Sequence, residues 1–128
     1  MKVFLHIGLS VIICFVLTLN TSAQQIQRHV AISAYIYNFA KNVQWQNEES
    51  IAEFHFLIIG QDENIIREMT TLAKTKTLRN KPIKVSSSET LKDIDNVQLI
   101  FVTRGNEGKF VKIFDQIEGK NILLVSDG

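Results

Sequence analysis

Residues 53–60 read Glu-Phe-His-Phe-Leu-Ile-Ile-Gly, and this stretch decides the fold. It becomes continuously apolar toward its end and is broken by Gly60, which is typical of a strand covered on both faces. Three later stretches, 83–85, 97–102 and 122–125, have the same branched apolar character. The sequence therefore predicts four short strands, each followed by a polar turn.

Helical patterns fill the gaps between these strands. Asp62 is a suitable N-cap for a helix whose apolar face holds Ile65, Ile66, Met69, Leu72 and Ala73. Ser86 and Glu89 have capping-box spacing, so we expect a short helix through Thr90, Leu91 and Ile94. A further helix starts at Glu107, stops at Gly119 and carries Phe110, Val111, Phe114 and Ile117.

The alternation of strands and helices sets the fold class. Because no hairpin dipeptide joins the strands, the pattern predicts an α/β fold with a mainly parallel sheet and helices on both faces, a Rossmann-like three-layer sandwich. The stretch 121–128 reads as a buried strand running into a turn with nothing after it to cover it, so we expect the domain to continue beyond Gly128.

The helical run at 27–45 precedes the first strand and has apolar residues on two sides. One row holds Ile26, Val30, Ala34 and Tyr37, and the other holds Ile32, Ile36, Phe39 and Val43. A helix of this kind is usually buried on both sides, which favours a homodimer. The rows also favour core or subunit packing over an aromatic binding box for most of the aromatic residues, Tyr35, Tyr37, Phe39 and Trp45.

The N-terminus has the features of an export signal. Lys2 is followed by an apolar run, and Thr21 and Ala23 are small residues at the two positions that a signal peptidase reads. We expect cleavage before Gln24, which makes 1–23 a signal peptide and 24–128 the domain. A retained membrane anchor is the alternative, because the apolar run approaches the length of a bilayer span.

Charge and cysteine content exclude several classes of function. The chain has 14 basic and 13 acidic residues, and loss of Lys2 with the signal leaves them balanced. Neither net charge nor a basic stripe indicates nucleic-acid binding. The part after residue 23 contains no cysteine, so it has no thiol nucleophile, disulfide or thiolate metal site. His29 and His55 stand apart from other ligand residues, and we expect neither a metal nor a cofactor.

Polar residues at the strand ends are the candidates for a ligand site. In an open parallel sheet, ligands bind beyond the carboxyl ends of the strands. Residues with suitable side chains there are Gln61, Ser87, Arg104 and Asp127. Caps and turns explain the same residues and are the favoured interpretation, and no nucleophile or acid–base pair completes an active site.

A family resemblance adds to this reading. The segment 35–45, Tyr-Ile-Tyr-Asn-Phe-Ala-Lys-Asn-Val-Gln-Trp, and the segment 56–60, Phe-Leu-Ile-Ile-Gly, resemble the YfiR-like family of periplasmic proteins. Later strand segments agree with it, so that the resemblance covers residues 28–128. Its most specific mark is an asparagine–phenylalanine pair followed six residues later by tryptophan, and its signature or interface residues here are Tyr35, Asn38, Phe39 and Trp45.

The resemblance implies regulation instead of catalysis. The best-known type in the family represses a membrane-bound diguanylate cyclase, and in other members the domain precedes signalling modules in one chain. This chain is then expected to contact an inner-membrane signalling protein of the cyclase or histidine kinase type. Three features depart from the family. Gln46 replaces a proline after the tryptophan, which predicts a looser helix exit, and no cysteine remains for the family's disulfides. Family members also continue after the serine–aspartate at 126–127 through a final strand and helix, which the sequence up to Gly128 does not include.

Three hypotheses follow from the sequence. The first is a periplasmic regulatory or sensor domain that binds a protein partner. The second is a periplasmic protein that binds a small ligand at the strand ends, and an enzyme is the last.

Overall fold

The computed structural model describes residues 28–92 and 94–128. The described part contains three α-helices and four strands: α1 (Arg28–Asn42), β1 (Phe54–Ile59), α2 (Glu63–Thr75), β2 (Ile83–Ser88), β3 (Leu99–Val102), α3 (Phe110–Ile117) and β4 (Leu123–Ser126). Three short 3-10 turns lie at Glu48–Ser50, Ile94–Asn96 and Glu107–Lys109. The export signal expected at 1–23, and Ile26 and Gln27 of the opening helix, lie outside the described residues.

The four strands form one parallel sheet in the order β2-β1-β3-β4. Strand β1 is central and pairs on both sides, so that Phe56 lies between Val85 and Leu99. Each of the first three strands is connected to the next by a crossover of helix or turn, as parallel pairing requires. The predicted fold class is therefore confirmed.

Side chains of β1 alternate between two separate cores. Phe54, Phe56 and Ile58 pack under α1 and α2, together with Ile36, Ala40, Trp45, Ile65, Met69, Leu78, Ile83, Leu99 and Phe101. Leu57 and Ile59 face the opposite core, which is completed by Ile94, Val97, Ile100, Val102, Ile113 and Ile117. Because successive residues of a strand point to opposite faces, one continuous apolar run supplies both layers.

Helix α1 is buried along one face only. Ser33, Ile36 and Ala40 are buried, whereas Tyr35 and Phe39 are 61% and 51% exposed. Tyr35 and Phe39 therefore do not pack in the core of one chain, because only the face of α1 that holds Ser33, Ile36 and Ala40 is buried. Packing against another subunit or a partner stays a prediction.

The prediction of a short helix after the second strand is wrong. Strand β2 continues to Ser88 because its pairing with β1 extends to Ile59, and Ser86 remains in the strand. The hydroxyl of Ser86 lies 2.6 Å from Nε2 of His55 and caps no helix. A 3-10 turn at Ile94–Asn96 takes the place of the predicted helix.

Trp45 closes the C-terminal end of α1. Its side chain is 6% exposed and packs edge-on against Phe54, with ring centroids 5.6 Å apart. The indole Nε1 donates a hydrogen bond of 3.1 Å to the carbonyl of Ala40. The last carbonyls of a helix have no partner within the helix, so this contact satisfies one of them. Core packing is confirmed for Trp45.

The helix exit is fixed at Gln46, where we expected a looser chain. The N–H of Gln46 donates to Oδ1 of Asn121 at 3.2 Å, and Nδ2 of Asn121 donates to the carbonyl of Gln46 at 2.9 Å. A proline at position 46 has no N–H to make the first of these bonds. The glutamine thus gains a contact that the family's usual residue lacks.

Replacing Trp45 tests its place in the core. We expect Trp45→Ala to lower the free energy of unfolding by about 3–5 kcal/mol, because the change leaves a cavity beside Phe54 and removes the donor to Ala40. Trp45→Phe is the control, since it keeps an aromatic ring beside Phe54 and loses only the donor and part of the indole volume. Urea denaturation of both variants measures the difference, and equal stability of Trp45→Ala and the wild type contradicts the assignment.

Candidate functional site

The carboxyl ends of the parallel strands meet at one edge of the sheet. A hydrogen-bonded network holds the turns that follow β1 and β3 together there. Oγ1 of Thr103, a residue that is 2% exposed, donates to the carbonyl of Ile59 at 3.0 Å. Asn106 donates from Nδ2 to the same Oγ1 at 3.1 Å. The network makes this edge a preorganised polar surface.

Lys109 extends the network toward β2. Its Nζ donates to Oδ1 of Asn106 and to the carbonyl of Glu89, each at 2.9 Å. Gly60 leaves room for the whole arrangement: its φ is +119°, and a Cβ there would lie 1.9 Å from Oγ1 of Thr103. The glycine that ends the first strand is therefore required by both its conformation and its surroundings.

An open, polar cleft of about 520 Å³ lies above this network. It is lined by Gln61, Asp62, Glu63, Asn64, Thr103, Arg104 and Asn106. Asp62 is the N-cap of α2 as predicted, since its Oδ1 accepts a hydrogen bond of 3.1 Å from the N–H of Ile65. The cleft thus combines amides, carboxylates and one guanidinium without an apolar floor.

The structure brings together two of the four predicted ligand residues. Gln61 and Arg104 both line the cleft and are exposed. Ser87 is exposed on β2 beside Ile58 and does not line it. Asp127 accepts a hydrogen bond from Arg28 and is held in an ion pair. Whether Gln61 and Arg104 bind a ligand stays a prediction.

Sequence reasoning missed Arg28 and Asn106. Arg28 begins α1, pairs with Asp127 and lies 4.0 Å from Asp62, so it joins three elements at this edge. No sequence signal indicates a contact between residues so far apart. Asn106 lies in the turn between Gly105 and Gly108, and its position just after the end of β3 was a usable signal.

The turn that contains Asn106 is stabilised by Glu107. The N–H of Gly105 donates to Oε1 of Glu107 at 2.8 Å. This backbone hydrogen bond is the main cause that lowers the pKa of the carboxyl group. A hydrogen bond from the N–H of Glu107 itself is the next cause. The side chain of Glu107 is therefore negatively charged, and its hydrogen bond to Gly105 stabilises the turn.

His55 lies on the opposite side of the strand from Phe54 and Phe56 and is half-buried. Its Nε2 is 2.6 Å from Oγ of Ser86, and its backbone N–H donates to Oε1 of Gln98 at 2.7 Å. Burial, and then the positive charge of Lys84, lowers the pKa of the imidazole. These contacts give His55 a structural role between two strands.

The outer side of α1 is the second candidate surface. Tyr35, Asn38 and Phe39 are all exposed there, whereas Trp45 lies in the core. Asn38 forms no buried cap: its carbonyl accepts a hydrogen bond of 2.8 Å from Nδ2 of Asn42. Three of the four signature residues therefore lie on a surface that another molecule can reach.

The described residues hold no group of three or more histidine, cysteine, aspartate or glutamate side chains that is arranged to bind a metal ion. Among the helices at 28–92 and 94–128, none is long and apolar enough to cross a membrane.

The fold and its surfaces define a parallel α/β domain with a polar strand-end cleft and an exposed aromatic helix. The sequence profile of the YfiR/HmsC-like family (DUF4154) matches residues 29–128, and the chain belongs to that family. Proteins of this family are periplasmic and are regulators rather than enzymes. Neither the characterised proteins nor the solved structures give a significant match.

Replacing Gly60 tests the strand-end network. We expect Gly60→Ala to lower the free energy of unfolding by about 2 kcal/mol or more, because the new Cβ adopts an unfavourable φ and displaces the Thr103 hydroxyl. Gly108→Ala is the matched control, since a Cβ there meets nothing within 4 Å. Thermal or urea unfolding gives the comparison, and similar stability of the two variants contradicts this role for Gly60.

Proposed function

We propose that this protein is an exported periplasmic regulator that controls an inner-membrane signalling protein by direct contact. The partner is of the diguanylate cyclase or histidine kinase type. Family membership supports a regulator of cyclic-di-GMP signalling. The observation that carries the contact itself is the outer face of α1.

The outer face of α1 carries no charge over three helical turns. Residues 29–40 read His-Val-Ala-Ile-Ser-Ala-Tyr-Ile-Tyr-Asn-Phe-Ala and include no aspartate, glutamate, lysine or arginine. Its exposed residues are Val30, Ala31, Ala34, Tyr35, Asn38 and Phe39. Soluble surfaces normally contain about a quarter to a third charged residues. A partner that covers this face therefore removes little charge from water.

Helix α2 provides the contrast within the same layer. Its exposed positions include Glu63, Arg67 and Lys74, as expected of a helix face that remains in water. On α1, the small side chains of Ala31 and Ala34 allow close approach of a partner helix. The amide of Asn38 lies between them and the C-terminal end and supplies a specific hydrogen-bonding group.

Regulation through this face needs no chemical step. A regulator that binds one conformation of its partner better than another shifts the partner's equilibrium toward that conformation. The size of the shift is set by the difference between the two affinities. Control of a membrane protein by binding at α1 therefore requires no active site in this domain.

Site-specific photo-crosslinking in intact cells tests the contact. With p-benzoylphenylalanine at Asn38, we expect a crosslink to an inner-membrane signalling protein. The same probe at Thr71, an exposed position on α2, is the control and should give none. Crosslinks at both positions, or at neither, count against α1 as the regulatory surface.

A small-ligand function is the second candidate, and the strand-end cleft favours it. Gln61 and Arg104 lie in one polar cleft beside the N-terminus of α2, where free backbone N–H groups and a guanidinium suit a small anionic or amide-containing molecule. Such a ligand bound in the periplasm would make the regulator a sensor.

Thermal-shift screening of the whole protein tests this second function. With a panel of small carboxylates, phosphates and amino acids, we expect at least one compound to raise the Tm of the wild type and to leave Arg104→Ala unchanged. Lys112→Ala removes an exposed positive charge from α3 and is the control that should keep the response. A compound that stabilises Arg104→Ala as well as wild type argues against the site.

A further inference from the structure

Residues 69–83 carry a local excess of positive charge. They contain Lys74, Lys76, Arg79 and Lys81 and no aspartate or glutamate. Because basic and acidic residues balance over the whole chain after residue 23, this excess produces a positive potential only at the surface where these side chains lie. The segment joins α2 to β2 and lies at the β2 edge of the sheet, which is the edge opposite β4.

Contacts with α1 fix this segment beside a further lysine. The hydroxyl of Tyr37 donates to the carbonyl of Thr77 at 2.9 Å, and Nζ of Lys41 lies 5.7 Å from the centroid of the Tyr37 ring. Nη2 of Arg79 donates to the carbonyl of Val43 at 3.2 Å. The ends of α1 and α2 thus bring five cations together. We call them the basic corner: Lys41, Lys74, Lys76, Arg79 and Lys81.

Two members of the basic corner hold the neighbouring turn. Nε of Arg79 lies 3.4 Å from Oε1 of Glu48, and Nζ of Lys81 donates to the backbone carbonyl of Glu48. The carbonyl of Glu49 lies 3.4 Å from the same Nζ. Arg79 and Lys81 therefore belong to the framework of the domain, and the five cations outnumber the acidic residues at this turn.

The other three members are available to an external anion. Lys41, Lys74 and Lys76 are all exposed. None of them takes part in the ion pairs formed among residues 28–92 and 94–128. Their ammonium groups face water at the ends of two neighbouring helices, so their charges act on whatever approaches this corner.

We propose that the basic corner binds a membrane surface that contains anionic phospholipids. Lysine carries a compact, hydrated charge on a flexible stem, which suits a fluid layer of headgroups without a fixed partner geometry. A negative surface potential attracts such clustered cations. A protein surface is less suitable, because lysine is depleted in protein–protein interfaces. The choice of membrane rests on the proposed function, which has its partner in the inner membrane.

The basic corner adjoins the outer face of α1. Asn38 and Lys41 are three residues apart on this helix and are therefore neighbours on its surface. A membrane bound at Lys41, Lys74 and Lys76 holds the outer face of α1 close to the headgroups. The proposed contact with an inner-membrane protein is then made by a domain that is already oriented at the same surface.

Vesicle sedimentation of the protein purified from the periplasm tests this proposal. We expect binding to vesicles that contain phosphatidylglycerol and none to vesicles of phosphatidylcholine alone, and added salt should weaken the binding. In Lys74→Gln/Lys76→Gln, the partition coefficient should fall about 20-fold, because each cation near an anionic membrane contributes about fivefold. Equal binding to both kinds of vesicle overturns the proposal. The vesicles hold no protein, so this outcome is independent of crosslinking at Asn38.

Lys92→Gln/Lys112→Gln is the matched control. Both lysines are exposed, and Lys112 lies on α3, which covers the opposite face of the sheet. This variant loses the same charge and should change the partition coefficient by less than about twofold. An equal loss in the two double variants shows an effect of net charge and overturns the basic corner as the binding surface. Displacement from the vesicles by soluble polyglutamate at matched ionic strength identifies an acidic protein as the occupant and also overturns the proposal.

Discussion

Full pairing of β1 is the constraint on which the rest of the structure depends. This strand has a neighbour on each side and a layer of apolar side chains on each face, so no water reaches its N–H and C=O groups. Each must be satisfied by protein. The ladder is completed at its ends by Phe54, whose N–H donates to Pro82 at 2.9 Å, and by Gly60, whose N–H donates to Ser88 at 3.0 Å. Where β1 ends, the hydroxyl of Thr103 continues the pairing with Ile59, and the polar network begins from that contact.

The parts of this fold that depend on local pattern were predictable from sequence. Continuous apolar runs reveal buried parallel strands, and the cap at Asp62 is a local hydrogen bond between neighbours in the chain. The capping-box interpretation failed at Ser86 because pairing with β1 holds this residue in a strand, and such pairing is invisible in a short window. Trp45 and Phe39 show the same limit of local pattern. Both are aromatic, but Trp45 is buried in the core and Phe39 is exposed.

The candidate sites were predictable to a smaller extent. The polar ends of the strands indicated where a cleft forms, and Gln61 and Arg104 do line it. Asp127 does not line the cleft because its carboxylate pairs with Arg28. The sequence could not indicate this pair, since any of several basic residues was an equally plausible partner. Tyr35 and Phe39 are exposed because only the face of α1 with Ser33, Ile36 and Ala40 is buried, and an apolar row does not reveal whether it faces the core or an external partner.

Helix α1 is fastened to the ends of β4 at two points. Arg28 ties its beginning to Asp127, and the exchange of hydrogen bonds between Gln46 and Asn121 ties its exit to the residues before the strand. These contacts hold both ends of the helix to the residues that flank β4. Displacement of this helix along the margin of the sheet therefore requires that the ion pair or the two hydrogen bonds break.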